Sequence, residues 1–300
     1  MTDTTRRPTA GLDRLDGWAD APDISARSVL VTIFGDSILP VTKTFWLAQL
    51  FRLTESLGFN ERQIRTSMFR LAAEDWVTSE RVGRQSQYTL TPLAVSESEQ
   101  ASRRIYHNDP PDWSGSWTLV MLGGPATDPA ARDAIGRHLR WNGFIPLGAD
   151  LLGSPATDPE TVKRLLRLVD QGSGAAVATA AFVDLADLVE DGFFAAAFNT
   201  DEIEADYRTF IQRYDGLGEA LHRTSPLEAF AVRTMLIHDL RRIRLRSPDV
   251  PAELLPDNWI GYRADAIAGD LYRVAAAGSA PALGEILDLT YPTELPERFA

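Results

Sequence analysis

The chain has 300 residues, of which 44% are apolar and 24% charged, and its formal net charge is −12. That length can bury more than one core, and the acidic balance excludes a protein coated in nucleic acid. There is no cysteine, so disulfides, thiolate catalysis and cysteine-ligated metal centres are excluded. Residues 1–24 carry charges throughout and read as a disordered leader without an apolar signal core. Ser25 is placed to cap a helix over 26–34, with Val29, Leu30 and Ile33 inward and Gly35-Asp36 as its end. Apolar spacing predicts a second helix over 43–57, closed by Gly58.

A third helix opens at Asn60, a side chain able to accept the free N–H groups of a helix start, with Glu61 in its first turn. Ile64, Met68 and Leu71 make one apolar stripe, while Arg62, Arg65, Thr66, Phe69 and Arg70 lie off it. After Trp76 the period falls to two on either side of Val82-Gly83-Arg84, which predicts a hairpin with Arg81 and Arg84 near its tip. A short arginine-bearing helix followed by a basic-tipped hairpin is the pattern of a winged helix-turn-helix. Its helix enters a major groove and its wing reaches a phosphate strand. Charge supports the placement: residues 25–95 hold eight basic and six acidic residues, net +2, in an otherwise acidic chain. DNA-contacting candidates are Arg62, Arg65, Thr66 and Arg70 on the helix, with Arg81 and Arg84 at the wing. The competing reading is a solvated helix face carrying the pairs Glu61–Arg65 and Arg70–Glu74.

Residues 96–112 read as a polar linker helix. From Trp113 to Val183 the order of short elements is β-α-β-β-α-β, with Asp128-Pro129 and Asp158-Pro159 as helix starts and Gly143 as a helix stop, the ferredoxin-like order. From 184 to 300 the pattern is helical, with stripes at Leu185, Leu188 and Val189 and at Ile203, Tyr207, Phe210, Ile211 and Tyr214. A helix beginning at Pro226 runs into Arg241, Arg242, Arg244 and Arg246, a last helix spans about 263–277, and a Pro-containing tail follows. The fold class expected is α+β: a winged helix-turn-helix over 25–95, the linker, a middle ferredoxin-like domain over 113–183 and an α-helical C-terminal domain over 184–300.

Several ordered stretches resemble the PaaX family of bacterial repressors, which control phenylacetate catabolism genes. They are Ser28-Val-Leu-Val-Thr-Ile-Phe-Gly-Asp36, Asn60-Glu-Arg-Gln-Ile-Arg-Thr66 with Arg70-Leu71, and Gly83-Arg-Gln-Ser-Gln-Tyr-Thr-Leu-Thr91. Trp113 to Trp117, Gly143-Phe144, Leu236-Ile-His-Asp-Leu-Arg-Arg242 and Pro251-Ala-Glu-Leu-Leu-Pro256 with Trp259 continue the series, over about 25–275. The resemblance implies a middle domain similar to the Cas2 fold, a homodimer on an imperfect palindrome of double-stranded operator DNA, and release by an aryl-acyl-CoA thioester such as phenylacetyl-CoA. No resident cofactor is expected, and the lack of cysteine and of an uncharged run longer than 113–127 predicts a cytoplasmic protein that does not enter a membrane. In the family the wing reads Gly-Arg-Arg-Ser; here Gln85 replaces the second arginine and Gln87 a tyrosine, so phosphate affinity is expected to fall.

On that reading Arg241, Arg242, Arg244 and Arg246 are candidates to hold the phosphates of the CoA effector. Ion pairing with neighbouring acids such as Asp239 and Asp249, or a dimer surface, is the alternative. Trp113, Trp117, Trp141 and Trp259 are candidates for an aromatic acyl pocket or for core packing. His238 in Ile-His-Asp lacks a nucleophile elbow and reads as structural. Another function class, a metal-dependent nuclease on the ferredoxin-like domain, needs an acid at the end of the first strand. Trp117 to Gly124 supplies none before Asp128, so no enzyme is expected. A PaaX-like regulator with a different effector and regulon is the remaining alternative.

Overall fold

The computed structural model describes residues 12–107, 113–123, 128–169, 175–198, 200–247, 250–293, 295 and 298–299. Outside them lie residues 1–11 of the expected leader, the end of the expected linker at 108–112, the expected turn residues Gly124 and Pro125, and Asp249. The side chain of Trp141 is also outside. The protein is α+β, with two small antiparallel sheets among helices. One compact unit spans Met1–Asn108, Tyr207–Arg246 and Gly261–Ala300; the other spans Asp109–Asp206 and Ser247–Ile260.

The first unit begins with two single turns, Leu12–Leu15 and Trp18–Asp20, that bury Leu15 and Trp18. This corrects the expected disorder over 12–24. Two apolar side chains and a buried indole N–H, donated to Asp239 Oδ1 at 3.0 Å, tie down a stretch whose overall composition is polar. Helix α1 (Ala26–Ile33) starts on Ser25, whose Oγ accepts from the Ser28 N–H. Gly35-Asp36 does not stop it. The chain passes directly into a wider turn, Phe34–Ile38, in which Phe34, Asp36, Ser37 and Ile38 are buried.

Strand β1 (Thr44–Trp46) then precedes α2 (Leu47–Glu55), where a single helix was expected over 43–57. Thr-Phe-Trp suits a strand, and β1 pairs with β3 through Thr44↔Thr89, Phe45↔Tyr88 and Trp46↔Gln87. Gln49 Oε1 accepts from the Trp46 N–H at 2.7 Å and so starts α2 inside the expected helix. Helix α3 (Glu61–Ala73) leads to β2 (Val77–Val82) and β3 (Gln85–Leu90), and the sheet order is β1-β3-β2. Leu30, Ile33, Leu50, Leu53, Ile64, Met68 and Leu71 form the buried centre of α1, α2 and α3. Helix α4 (Pro92–Tyr106) is capped by Thr91 and buries Ala94, Ser98, Ile105 and Tyr106.

In the second unit β4 (Trp117–Met121), α5 (Pro129–Trp141), β5 (Ile145–Gly148), β6 (Leu151–Ser154), α6 (Pro159–Val169) and β7 (Ala176–Ala180) follow in order. All strand pairs are antiparallel, in the order β5-β6-β4-β7. Alternation along β4 serves two cores. Val120 joins Ile135, Leu139, Val162 and Leu166 of the helices, while Trp117 joins Phe194, Phe198 and Leu254. Two short helices, α7 (Leu185–Glu190) and α8 (Phe193–Phe198), supply those phenylalanines.

Helix α9 (Thr200–Tyr214), the single turn α10 (Gly218–Leu221), α11 (Pro226–Arg246) and α12 (Ile260–Leu287) complete the chain. Helix α11 is buried on nearly every side, which marks it as a central helix. Helix α12 continues ten residues past the expected end at 277, through Gly278-Ser279-Ala280-Pro281. Small side chains explain the extension. A Cβ on Gly278 would meet Ala229 Cβ at 3.1 Å, so α12 lies close on α11 where the sequence looks like a break.

Candidate nucleic-acid interface and effector site

Helix α3 starts on a reciprocal cap. Asn60 Oδ1 accepts from the Gln63 N–H at 3.0 Å, and Gln63 Oε1 accepts from the Asn60 N–H at 2.9 Å. Burial of Ile64, Ser67, Met68 and Leu71 turns Arg62, Arg65, Thr66, Phe69 and Arg70 outward, and all five are exposed. Their spacing of three and four residues puts them on one helix face. Phe69, 77% exposed, is a large apolar surface among cations.

The two ion pairs of the competing reading fare differently. Arg65 does pair with Glu61, at 3.1 Å, and its guanidinium lies 4.7 Å from the Phe51 ring centroid on α2. Glu74 instead binds Arg27 of α1, which draws its carboxyl below the usual carboxylate range. Arg62 and Arg70 therefore keep their guanidinium donors, with no side-chain hydrogen bond among the described residues. Thr66 Oγ1 donates back to the Arg62 carbonyl at 2.9 Å.

The β2–β3 hairpin closes on Gly83-Arg84, between Val82 and Gln85 as the last paired residues. Gly83 has φ +63°, where L side chains are strained. Arg81 Nε donates to the Gly83 carbonyl at 3.4 Å, while Arg84 projects from the loop, exposed.

The four arginines near the end of α11 do not gather into one clamp. Successive residues turn by about 100° around a helix, so contiguity in sequence scatters them in space. Arg242 pairs with Asp23 at 2.5 Å. Arg244, only 4% exposed, donates to the Ile105 carbonyl and to Asp265. Arg246 Nε donates to the Arg242 carbonyl at 2.9 Å. Arg241 alone lines a cavity, between α1, α4 and α11. Trp117 stacks on Phe194 with centroids 5.3 Å apart and Trp113 meets it edge-on, a packed core in place of an open aromatic pocket.

Sequence reasoning missed the densest polar centre of the first unit. Asp36 is buried and accepts five hydrogen bonds. Tyr106 Oη (2.7 Å), Tyr272 Oη (2.9 Å) and Arg298 Nη1 (2.8 Å) donate to Oδ1; Arg233 Nε (2.7 Å) and Ser37 Oγ (2.8 Å) donate to Oδ2. Burial raises the Asp36 carboxyl, but the guanidiniums of Arg233 and Arg298 and the hydroxyls of Tyr106 and Ser37 outweigh it and hold the group low. Arg233, with no exposure, also donates to the Asp36 carbonyl and to the hydroxyls of Tyr272, Tyr291 and Ser279. The one sequence signal was an aspartate inside an apolar run.

His238 is fully buried, shares a 3.0 Å hydrogen bond with Thr32 through Nδ1, and meets Trp18 edge-on. Burial, with repulsion from Arg241 and Arg242, lowers its pKa to about 3. A lowered histidine pKa means that the unfolded chain takes up the proton first. Stability is thus present above the ordinary histidine pKa of about 6.5 and lost as pH falls toward 3. Between pH 7 and pH 5 this one group is expected to remove about 2 kcal/mol, and His238→Gln to flatten that loss. Parallel urea titrations of parent and variant at the two pH values check it; equal losses would place the acid sensitivity elsewhere.

Among the described residues no group of three or more His, Asp or Glu side chains could hold a metal ion, and no helix is long and apolar enough to cross a membrane. A family model described as PaaX-like protein matches residues 25–93, and one described as PaaX-like protein C-terminal domain matches 198–284. The chain is 32% identical over 267 residues to the Transcriptional repressor PaaX of Escherichia coli (strain K12), covering 87% of this chain and 84% of that protein. Its fold is similar to that of the uncharacterized protein Rv0674 from Mycobacterium tuberculosis. That match has a TM-score of 0.54 and 21% identity, over 88% of this chain and 97% of that one. With the cation-bearing helix, the hairpin and the central helix α11 inside these matched spans, the chain belongs to the PaaX family of transcriptional repressors.

Proposed function

We propose that the chain is a sequence-specific repressor that binds double-stranded operator DNA as a homodimer in the cytoplasm and regulates genes of aromatic, phenylacetate-type catabolism. The reader is a winged helix-turn-helix of α1–α3 and β1–β3. Arg62, Arg65, Thr66 and Arg70 face base edges, and Arg81 and Arg84 face phosphate. The observation that carries the reading is the exposed α3 face, where the guanidiniums of Arg62 and Arg70 have no hydrogen bond among the described residues while Glu74 is occupied by Arg27. Family membership supports a regulator over an enzyme. The second unit is ferredoxin-like and similar to Cas2, a reading supported by its antiparallel order β5-β6-β4-β7 with α5 and α6 packed against one core.

Release is by an aryl-acyl-CoA such as phenylacetyl-CoA. Of the four candidate arginines, Arg242 and Arg244 are engaged with Asp23 and Asp265. The test has two steps: capture of genomic fragments with sequencing, then fluorescence anisotropy on the recovered site. Expected are a palindromic motif beside aromatic-catabolism genes and loss of the complex with phenylacetyl-CoA at concentrations where phenylacetate leaves it intact. Capture without sequence preference overturns the repressor reading. Release by acid and thioester alike overturns the thioester.

A further inference from the structure

The cavity beside Arg241 has a chemistry of its own. Its volume is about 110 Å³ and it opens to solvent; an apolar cavity of roughly 150 Å³ encloses benzene, so this smaller, open one suits a body less bulky than a ring or a ring that stays partly in its mouth. Val31, Ala101, Ile105, Ile237 and Leu245 give it apolar walls, and Trp76, the third residue after α3, closes one side. Arg241 is half-buried there and has neither hydrogen bond nor ion pair among the described residues. Its charged neighbours do not neutralise it. Burial lowers its pKa and Arg27 adds repulsion. Asp36 lines the cavity but already accepts five bonds, and the exposed Glu97 also lines it without reaching Arg241. A guanidinium removed from water without a counter-charge is costly, and an anion brought to it recovers that cost through a paired, two-pronged contact.

We propose that this cavity is a binding site for a small organic carboxylate with an apolar body, the carboxylate held by Arg241 and the body by the walls of α1, α4 and α11. The hydroxyls of Ser98 and Ser102, also lining the cavity, offer donors to the same carboxylate. The site is too small for a nucleotide-containing molecule to fill, so it is a ligand position distinct from a CoA phosphate clamp. It also has a route to the reader. Thr32 and Gly35 belong to α1 and its continuation, Trp76 follows α3, and Asp36 at the cavity wall is the centre of the buried network. Occupancy changes operator affinity only so far as the ligand prefers one of two arrangements of these helices.

Calorimetry on the full chain with sodium benzoate as probe tests the site, with benzyl alcohol as the neutral counterpart. Saturable benzoate binding is expected, at least tenfold tighter than benzyl alcohol. It should weaken at least tenfold in Arg241→Met and in Ala101→Leu, which fills the cavity, and be unchanged in Arg103→Gln, an exposed arginine of α4 outside the lining. Should either cavity variant lose its fold, the Nε–H resonance of Arg241 in the parent decides: benzoate shifts it if the site is real. No saturation by about 10 mM benzoate, equal binding by Arg241→Met, or an unmoved Arg241 resonance overturns the proposal. Operator binding is scored in the same samples without benzoate. Its absence overturns the repressor reading and leaves the cavity result standing.

Discussion

Replacing Asp36 with alanine is expected to lower the stability of the first unit by about 3–5 kcal/mol, the usual cost of leaving a buried charge without its partner. The carboxylate is the sole acid facing Arg233 and Arg298 among the described residues and accepts from both, as well as from Tyr106, Tyr272 and Ser37. Removing it leaves Arg233, which has no exposure, without its counter-charge. Removing Arg298 instead leaves the Asp36–Arg233 pair intact, so Arg298→Met is expected to cost less than Asp36→Ala. The pH dependence has the opposite sense to a raised group. The Asp36 carboxyl is held below its unfolded value, so its contribution is complete above about pH 4 and is lost as pH falls further. Because two compact units need not unfold together, hydrogen exchange of amides in α1 and α11 is the appropriate measurement. Protection within 1 kcal/mol of the parent in Asp36→Ala would show that the network contributes little net energy.

How much of this was legible in the sequence follows from the range of the interactions. Helix α3 was legible because its signals are local: an Asn60 cap, a 3.6-residue stripe through Ile64, Met68 and Leu71, and Gly58 and Gly83 at positions of positive φ. Strand β1 was not, because Phe45 fits the helical stripe equally well and only pairing with Tyr88, more than forty residues away, makes it a strand. The Asp36 network joins residues nearly two hundred positions apart, and no spacing rule reaches that far. Breaker residues misled at Gly278 and Pro281, where close helix packing outweighs local propensity. At the candidate interface the cation face was legible, but which arginines remain available was not. That depends on Arg27 taking Glu74, a contact between two helices. The run Arg241 to Arg246 looked like one cluster only along the chain.

Arg65 and Arg84 separate the two halves of the DNA reading. Arg65 is held from two sides, by Glu61 at 3.1 Å and by the Phe51 ring. Its fork is thus partly ordered before any contact forms, and an exposed pair of this kind contributes at most about 1 kcal/mol to folding. Arg65→Ala should therefore leave stability near that of the parent while lowering operator preference over unrelated DNA by about 1–3 kcal/mol, roughly 5- to 150-fold. A base-edge contact releases no phosphate counterion, so the salt dependence of operator binding should stay as it was. Arg84, exposed beside the left-handed Gly83 at the hairpin tip, should behave in the converse way. Arg84→Ala is expected to weaken operator and unrelated DNA alike and to reduce the slope of log K against log salt by about one. The effect should be visible because the next residue, Gln85, is uncharged, so fewer neighbours compensate. Anisotropy titrations of both variants on both DNAs across a salt series read all four quantities. Equal losses on the two DNAs for Arg65→Ala would remove it from the base-reading face. An unchanged slope for Arg84→Ala would mean that the hairpin does not reach the phosphate strand, and the reader would then rest on α3 alone.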